Sequence, residues 1–119
     1  MIRLIVPAGD YWLGDPCYCF DDSWVDLLNE SDFFEKSALI QRPNGLVLAF
    51  STAYGDGVYN DQFGNLYGVD AGLLGLVTAG LEDRNPYGGH LIHFDENTEC
   101  TNDKGNMTFG KYQIKTREE

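Results

Sequence analysis

Three cysteines, Cys17, Cys19 and Cys100, are too few and of the wrong parity for a disulfide framework in a chain of 119 residues, a length that can bury one core without staples. They are expected to be reduced thiols, which fits a reducing compartment. No apolar run approaches the roughly 20 residues of a membrane-spanning helix. The opening apolar stretch is also shorter than the ~7–15 residues of a signal-peptide core, so the cytosol is the expected location. Basic residues are scarce: Lys and Arg number 8 against 19 Asp and Glu, for a net charge of −11. None of them lies between Asp10 and Glu35, where Asp10, Asp15, Asp21, Asp22, Asp26, Glu30, Asp32 and Glu35 follow one another. Such a face repels phosphate backbones and anionic membranes. Direct nucleic-acid binding and membrane binding are therefore not expected. A protein with a basic surface is the expected partner, including one whose own task is to hold nucleic acid. The chain also lacks a P-loop, a dinucleotide fingerprint, a nucleophile elbow and a calcium-loop pattern, and it shows no internal repeat.

The composition that remains is globular, with 43% apolar and 13% aromatic residues. Residues 50–77 concentrate it, holding six of the fourteen glycines together with Tyr54, Tyr59, Tyr67, Asp56, Asp61 and Asp70. Rings beside flexible backbone suit a compact β-rich core with a shaped polar surface. The period-2 stretches and their turn residues predict short strands at 2–6, 11–13, 38–41, 46–51, 58–60, 66–69, 73–77, 90–94 and 107–115. Residues 2–6 and 11–13 read as an N-terminal hairpin through Pro7-Ala8-Gly9-Asp10, with 17–20 as a short extended continuation. Asn44-Gly45 and Gly64-Asn65 mark two further hairpins. Residues 90–94 and 107–115 read as a last pair joined through a polar turn at 102–106. One helix is expected near 22–31: Asp21, Asp22 or Ser23 caps it, and Trp24, Leu27 and Leu28 form its apolar stripe. The expected fold is a single α+β, β-rich domain over 1–119. About eight short strands would form a rolled antiparallel or mixed sheet, either a sandwich or a partly open barrel.

Three segments carry a resemblance: Gly14-Asp15-Pro16-Cys17-Tyr18, then Tyr54-Gly55-Asp56-Gly57-Val58-Tyr59 with Val69-Asp70-Ala71-Gly72, and the ending Phe109-Gly110 with Ile114-Lys115-Thr116. Together they resemble small uncharacterised proteins of tailed bacteriophages and prophages. The resemblance spans most of the chain and carries no activity. It implies a phage or prophage origin and action in the host bacterial cytoplasm, where small acidic proteins often inhibit host enzymes or defence systems.

Several constellations compete for a functional role. Asp15, Asp56 and Asp70 could converge on a hard cation or serve as acid and base, or each could bond the backbone of its own turn. Cys17, Cys19, Cys100, His90 and His93 supply zinc-type ligands, but a C-x-C spacing with one distant cysteine is not that of a structural zinc site. No catalytic residue, metal or cofactor is expected. Tyr18, Tyr54, Asp56, Tyr59 and Asp70 could line a pocket in which rings stack on a nucleotide-like signal. Phosphate there would need cations, for which Arg3, Arg42, Arg84, Lys104, Lys111, Lys115 and Arg117 are the candidates, brought to a neighbour's pocket by a homo-oligomer. Asp21, Asp22, Asp26, Glu30, Asp32 and Glu35 could instead imitate phosphates on a basic groove, with Trp24, Phe33 and Phe34 as aromatic anchors. Inhibition of a host protein through this acidic surface is the leading expectation. Ligand sequestration and a virion accessory role are the alternatives.

Overall fold

A computed structural model of the chain describes residues 1–35 and 37–117. Among them are eleven strands in three antiparallel sheets and one helix. β4 (Gly45–Ser51) and β7 (Leu73–Thr78) are the central pair of a five-stranded sheet whose order is β3-β4-β7-β2-β8. Its other strands are β3 (Leu39–Arg42), β2 (Gly9–Gly14) and β8 (His90–Phe94). A four-stranded sheet runs in the order β1-β9-β10-β11, from β1 (Ile2–Val6) through β9 (Thr98–Asp103) and β10 (Asn106–Phe109) to β11 (Tyr112–Lys115). A separate hairpin joins β5 (Gly57–Asn60) to β6 (Leu66–Val69).

The apolar runs of β4 and β7 have no polar alternation because both faces of these strands are covered. Leu46, Leu48 and Phe50 of β4, with Leu74 and Leu76 of β7, face the four-stranded sheet. There they meet Val6, Cys100, Met107, Phe109 and Ile114 in one shared core. Val47, Ala49, Leu73 and Val77 project the opposite way, as a period of two requires, and pack on Cys19, Phe20, Leu27 and Phe34. Among the described residues the layers are therefore helix, five-stranded sheet and four-stranded sheet, an open sandwich with no closed barrel. Tyr67 and Val69 of the small hairpin also enter the shared core.

The helix α1 (Ser23–Ser31) lies where expected, with Leu27 buried and Trp24 and Leu28 packed on the second core. Its cap differs from the sequence expectation. Asp22 makes no capping bond; instead the Asp83 carboxylate accepts the Asp21 amide at 2.7 Å and the Ser23 hydroxyl at 2.6 Å. The Ser23 hydroxyl, ahead of the amide bonds, holds the Asp83 carboxyl below the usual range.

Two expected hairpins are present, with Arg42 paired to Gly45 and Asn60 paired to Leu66 across their turns. Four other expectations are corrected. β1 and β2 do not pair with each other: β1 joins β9 and β2 lies between β7 and β8. The chain crosses from one sheet to the other at Pro7-Ala8, where the Tyr11 hydroxyl donates to the Pro7 carbonyl at 2.7 Å. Residues 16–19 form a 3-10 turn, not a strand, because Pro16 favours a first helical position and the Asp15 carboxylate accepts the Cys17 amide. Residues 107–115 are two strands folded at Gly110, whose φ is 61°. Finally, the polar stretch 98–103 is itself a strand and takes the place expected for 90–94 beside β10.

Candidate functional site

The acidic segment starts at Asp21 and Asp22, just ahead of α1, and runs along the helix and past its end. Asp22, Asp26 and Glu30 recur every four residues and stay exposed. The segment contains no basic residue, yet the folded chain supplies two from elsewhere. Arg42 on β3 grips Glu30 through two bonds of 3.0 and 2.6 Å, and these bonds hold the Glu30 carboxyl below the usual range. Arg84 lies 3.2 Å from Asp21. Among the described residues, Asp22, Asp26, Asp32 and Glu35 carry no ion pair.

The end of the helix has an unusual backbone. Asp32, Phe33 and Phe34 are all left-handed, with φ of 53°, 59° and 60°, a conformation that costs a bulky non-glycine residue about 1–3 kcal/mol. Local bonds hold the turn: the Phe33 amide reaches the Leu28 carbonyl at 2.8 Å, and the Phe34 amide reaches the Ser31 hydroxyl at 2.9 Å. The two adjacent rings separate as a result. Phe34 is 5% exposed and stacks on Trp24, while Phe33 is 59% exposed. Val25 is exposed in the same segment. Of the three expected anchors, Trp24 and Phe34 serve the core and Phe33 is offered to solvent.

Tyr18, Asp56, Tyr59 and Asp70 do not line the cleft that holds Tyr54. Tyr18 stands on the 3-10 turn with its ring 4.5 Å from that of Tyr87. Burial and then the neighbouring Asp70 carboxylate raise its phenol's pKa. Tyr59 folds back so that its hydroxyl donates to the Gly55 carbonyl at 2.9 Å, and its ring packs against the shared core. Asp56 and Asp70 are exposed. Tyr54, 63% exposed, lies in a different cleft with Lys104 and Arg117.

Asp15 and Asp70 do meet, through backbone. Asp15 is fully buried, and its Oδ2 accepts the Asp70 and Ala71 amides at 2.9 and 2.8 Å. Its Oδ1 accepts the Cys17 amide at 3.0 Å. The carboxylate thus clamps the loop after β6 to the 3-10 turn and is spent on structure. Burial, then the charge of Asp15, raises the pKa of the Cys17 thiol, which keeps it protonated and weakly nucleophilic. Burial pushes the Cys19 and Cys100 thiols up to about 12. These two belong to different cores on opposite faces of the five-stranded sheet. His93 sits apart from them between Asp10 at 2.7 Å and Asp95 at 3.0 Å. Among the described residues, no group of three or more His, Cys, Asp or Glu is placed to hold a metal ion.

The residue missed by sequence reasoning is Asp83; Arg42, Arg84, Lys104 and Arg117 were candidate cations, but their places beside Glu30, Asp21 and Tyr54 were not foreseen. No local spacing announces these placements, because each partner lies a dozen or more residues away. No family model matches the chain, and no curated protein or solved structure matches it.

Proposed function

We propose that this is a phage-encoded binding protein that acts in the host bacterial cytoplasm, where it inhibits a host protein or defence system through its acidic surface. The observation that carries the proposal is Phe33. A strained left-handed turn holds its ring in solvent beside carboxylates that have no ion-pair partner among the described residues. A desolvated aromatic anchor within a polar rim is how a few residues come to dominate a protein–protein interface. The carboxylates would steer a basic partner and make the encounter salt-sensitive. Phage origin and host location rest on the motif resemblance.

The test compares baits in a bacterial lysate: the native chain, an Asp22→Lys/Asp26→Lys variant and a Phe33→Ala variant. These substitutions leave the Glu30–Arg42 and Asp21–Arg84 pairs intact. A protein retained by the native chain, lost with both variants and eluted by salt is the expected result. Equal retention by all three baits, with circular dichroism showing each one folded, would exclude docking through this segment.

A further inference from the structure

We infer that the cleft around Tyr54 binds a small phosphorylated aromatic ligand of the mononucleotide class, independently of the acidic segment. The cleft has a volume of about 430 Å³ and is lined chiefly by Ser51, Tyr54, Asn102, Lys104, Gly105 and Arg117. The cleft is shallow and open to solvent, so the groups on its walls, not its volume, decide what it can hold. Among the described residues its lining contains no carboxylate, which is unusual in a chain with 19 acids and 8 bases. Four other clefts each carry at least one: Asp10, Asp26, Asp61, or the group Asp95, Glu96 and Glu99. Anionic ligands are repelled over most of this surface, and here two cations stand together.

The cleft is built on a buried polar network. Asn102 and Thr116 are both buried. The Asn102 Oδ1 accepts the Gly105 amide at 2.9 Å, and its Nδ2 donates to the Ser51 carbonyl at 3.4 Å. The Thr116 hydroxyl accepts the Ala53 amide at 2.9 Å and donates to the Gly105 carbonyl at 2.7 Å. Three distant segments are thereby tied to one another. Lys104 and Gly105 form the two-residue turn between β9 and β10, with φ of 55° and 101°, the geometry of a tight hairpin. A Cβ on Gly105 would lie 2.6 Å from that of Ala53, so only glycine allows this approach. The backbone that carries Lys104 is fixed before any ligand arrives, which lowers the ordering cost of binding.

The groups that face the cleft suit two halves of one ligand. Among the described residues, Tyr54 has no aromatic or cationic partner on its ring, and Lys104 and Arg117 have no ion pair. An open ring stacks on a base, and an ammonium with a guanidinium takes the phosphate. A nucleic-acid strand is disfavoured, since its repeating phosphates would run from this cleft into an acidic surface. The sequence placed Tyr54 with Asp56, Tyr59 and Asp70; the fold places it with cations of its own chain, and no second copy is needed.

The experiment is an amide NMR titration of the full chain at low salt, using adenosine monophosphate, adenosine and inorganic phosphate as separate probes. Adenosine monophosphate is expected to saturate and to move the Ala53, Tyr54, Lys104 and Gly105 resonances. Each half alone should bind at least about tenfold more weakly. Tyr54→Ala should weaken adenosine monophosphate by roughly tenfold and leave phosphate unchanged. A Lys104→Ala/Arg117→Ala variant should weaken both, and Lys104→Arg/Arg117→Lys should restore them. The same spectra report whether each variant is folded. No saturation by about 10 mM adenosine monophosphate, or an unchanged affinity in the folded double alanine variant, overturns the site. Phosphate binding as tightly as adenosine monophosphate overturns the nucleotide assignment.

Discussion

A carboxylate removed from water must find donors to replace its hydration, and Asp61, 3% exposed, finds four. Its Oδ1 accepts the Phe63 and Asn65 amides at 2.8 and 3.1 Å. Its Oδ2 accepts the Asn65 side chain at 3.0 Å and the Tyr67 hydroxyl at 2.7 Å. Burial alone would raise its pKa, but these bonds outweigh it and the net shift is downward. The group is therefore charged in the folded chain at a pH where the unfolded chain would already bind a proton. Its contribution is fully present above the unfolded value of about 4 and is lost as pH falls through the depressed folded value. Asp61→Asn places a donor against donors and should cost about 1–3 kcal/mol in urea denaturation at neutral pH. The loss should narrow in acid; a variant as stable as the native chain at neutral pH would contradict this account. The local half of the motif was legible, because Asp61 followed by Gly64-Asn65 has the look of a side-chain-bonded turn. Its burial was not, since that depends on a bridge from Asp61 to Ile114 on β11.

Elements whose partners are near in sequence could be read, and those with distant partners could not. The hairpins β3–β4 and β5–β6 and the helix α1 follow from turn residues and periodicity a few positions apart. The β1–β9 and β2–β8 pairings join chain segments with no local signal between them. β9 itself escaped notice because its inward residues include Asn102 and Cys100 in place of a hydrophobic alternation. Once the register is known, β1 gives a sharp prediction. The two-residue turns at Lys104-Gly105 and Gly110-Lys111 make Asp103–Asn106 and Phe109–Tyr112 hydrogen-bonded pairs, so Thr101 and Glu99 point their backbone groups at β10. Thr98, Cys100 and Asn102 then bond to Val6, Leu4 and Ile2, the residues opposite them on β1. The amides of Arg3 and Ile5 point away from the sheet, and among the described residues nothing meets them. Ile5→Pro should therefore fold with a loss under about 1 kcal/mol, as proline does on an outward edge position. Leu4→Pro removes a bond to β9 and should cost more than about 2 kcal/mol. Thermal melting separates the two, and equal losses would mean that the register is wrong.

On the scale of the whole molecule the deciding quantity is the net charge of −11. The two proposed binding surfaces were only half legible: the acidic segment is visible as a run, while Arg42, Arg84, Lys104 and Arg117 reach their places only through the fold. Salt acts on this charge distribution in two opposed ways. It weakens the exposed pairs Arg42–Glu30, Arg84–Asp21 and Arg3–Glu99, each of which contributes at most about 1 kcal/mol. It also screens the mutual repulsion of the excess carboxylates, which the compact state feels more than the unfolded chain. With a Debye length of about 10 Å at 0.1 M and about 3 Å at 1 M, most of that repulsion disappears within the range of an ordinary salt series. Repulsion among eleven uncompensated charges should outweigh the few exposed pairs, so sodium chloride is expected to raise the melting temperature. A gain of about 1 kcal/mol corresponds to roughly 4 °C for a domain of this size. Docking through Asp22, Asp26 and Phe33 should respond in the opposite direction, because salt removes the steering attraction of a basic partner. A single salt series followed by melting and by partner retention should then show stability rising while binding falls. A melting temperature that falls with salt would mean that the paired charges, not the excess ones, govern this fold.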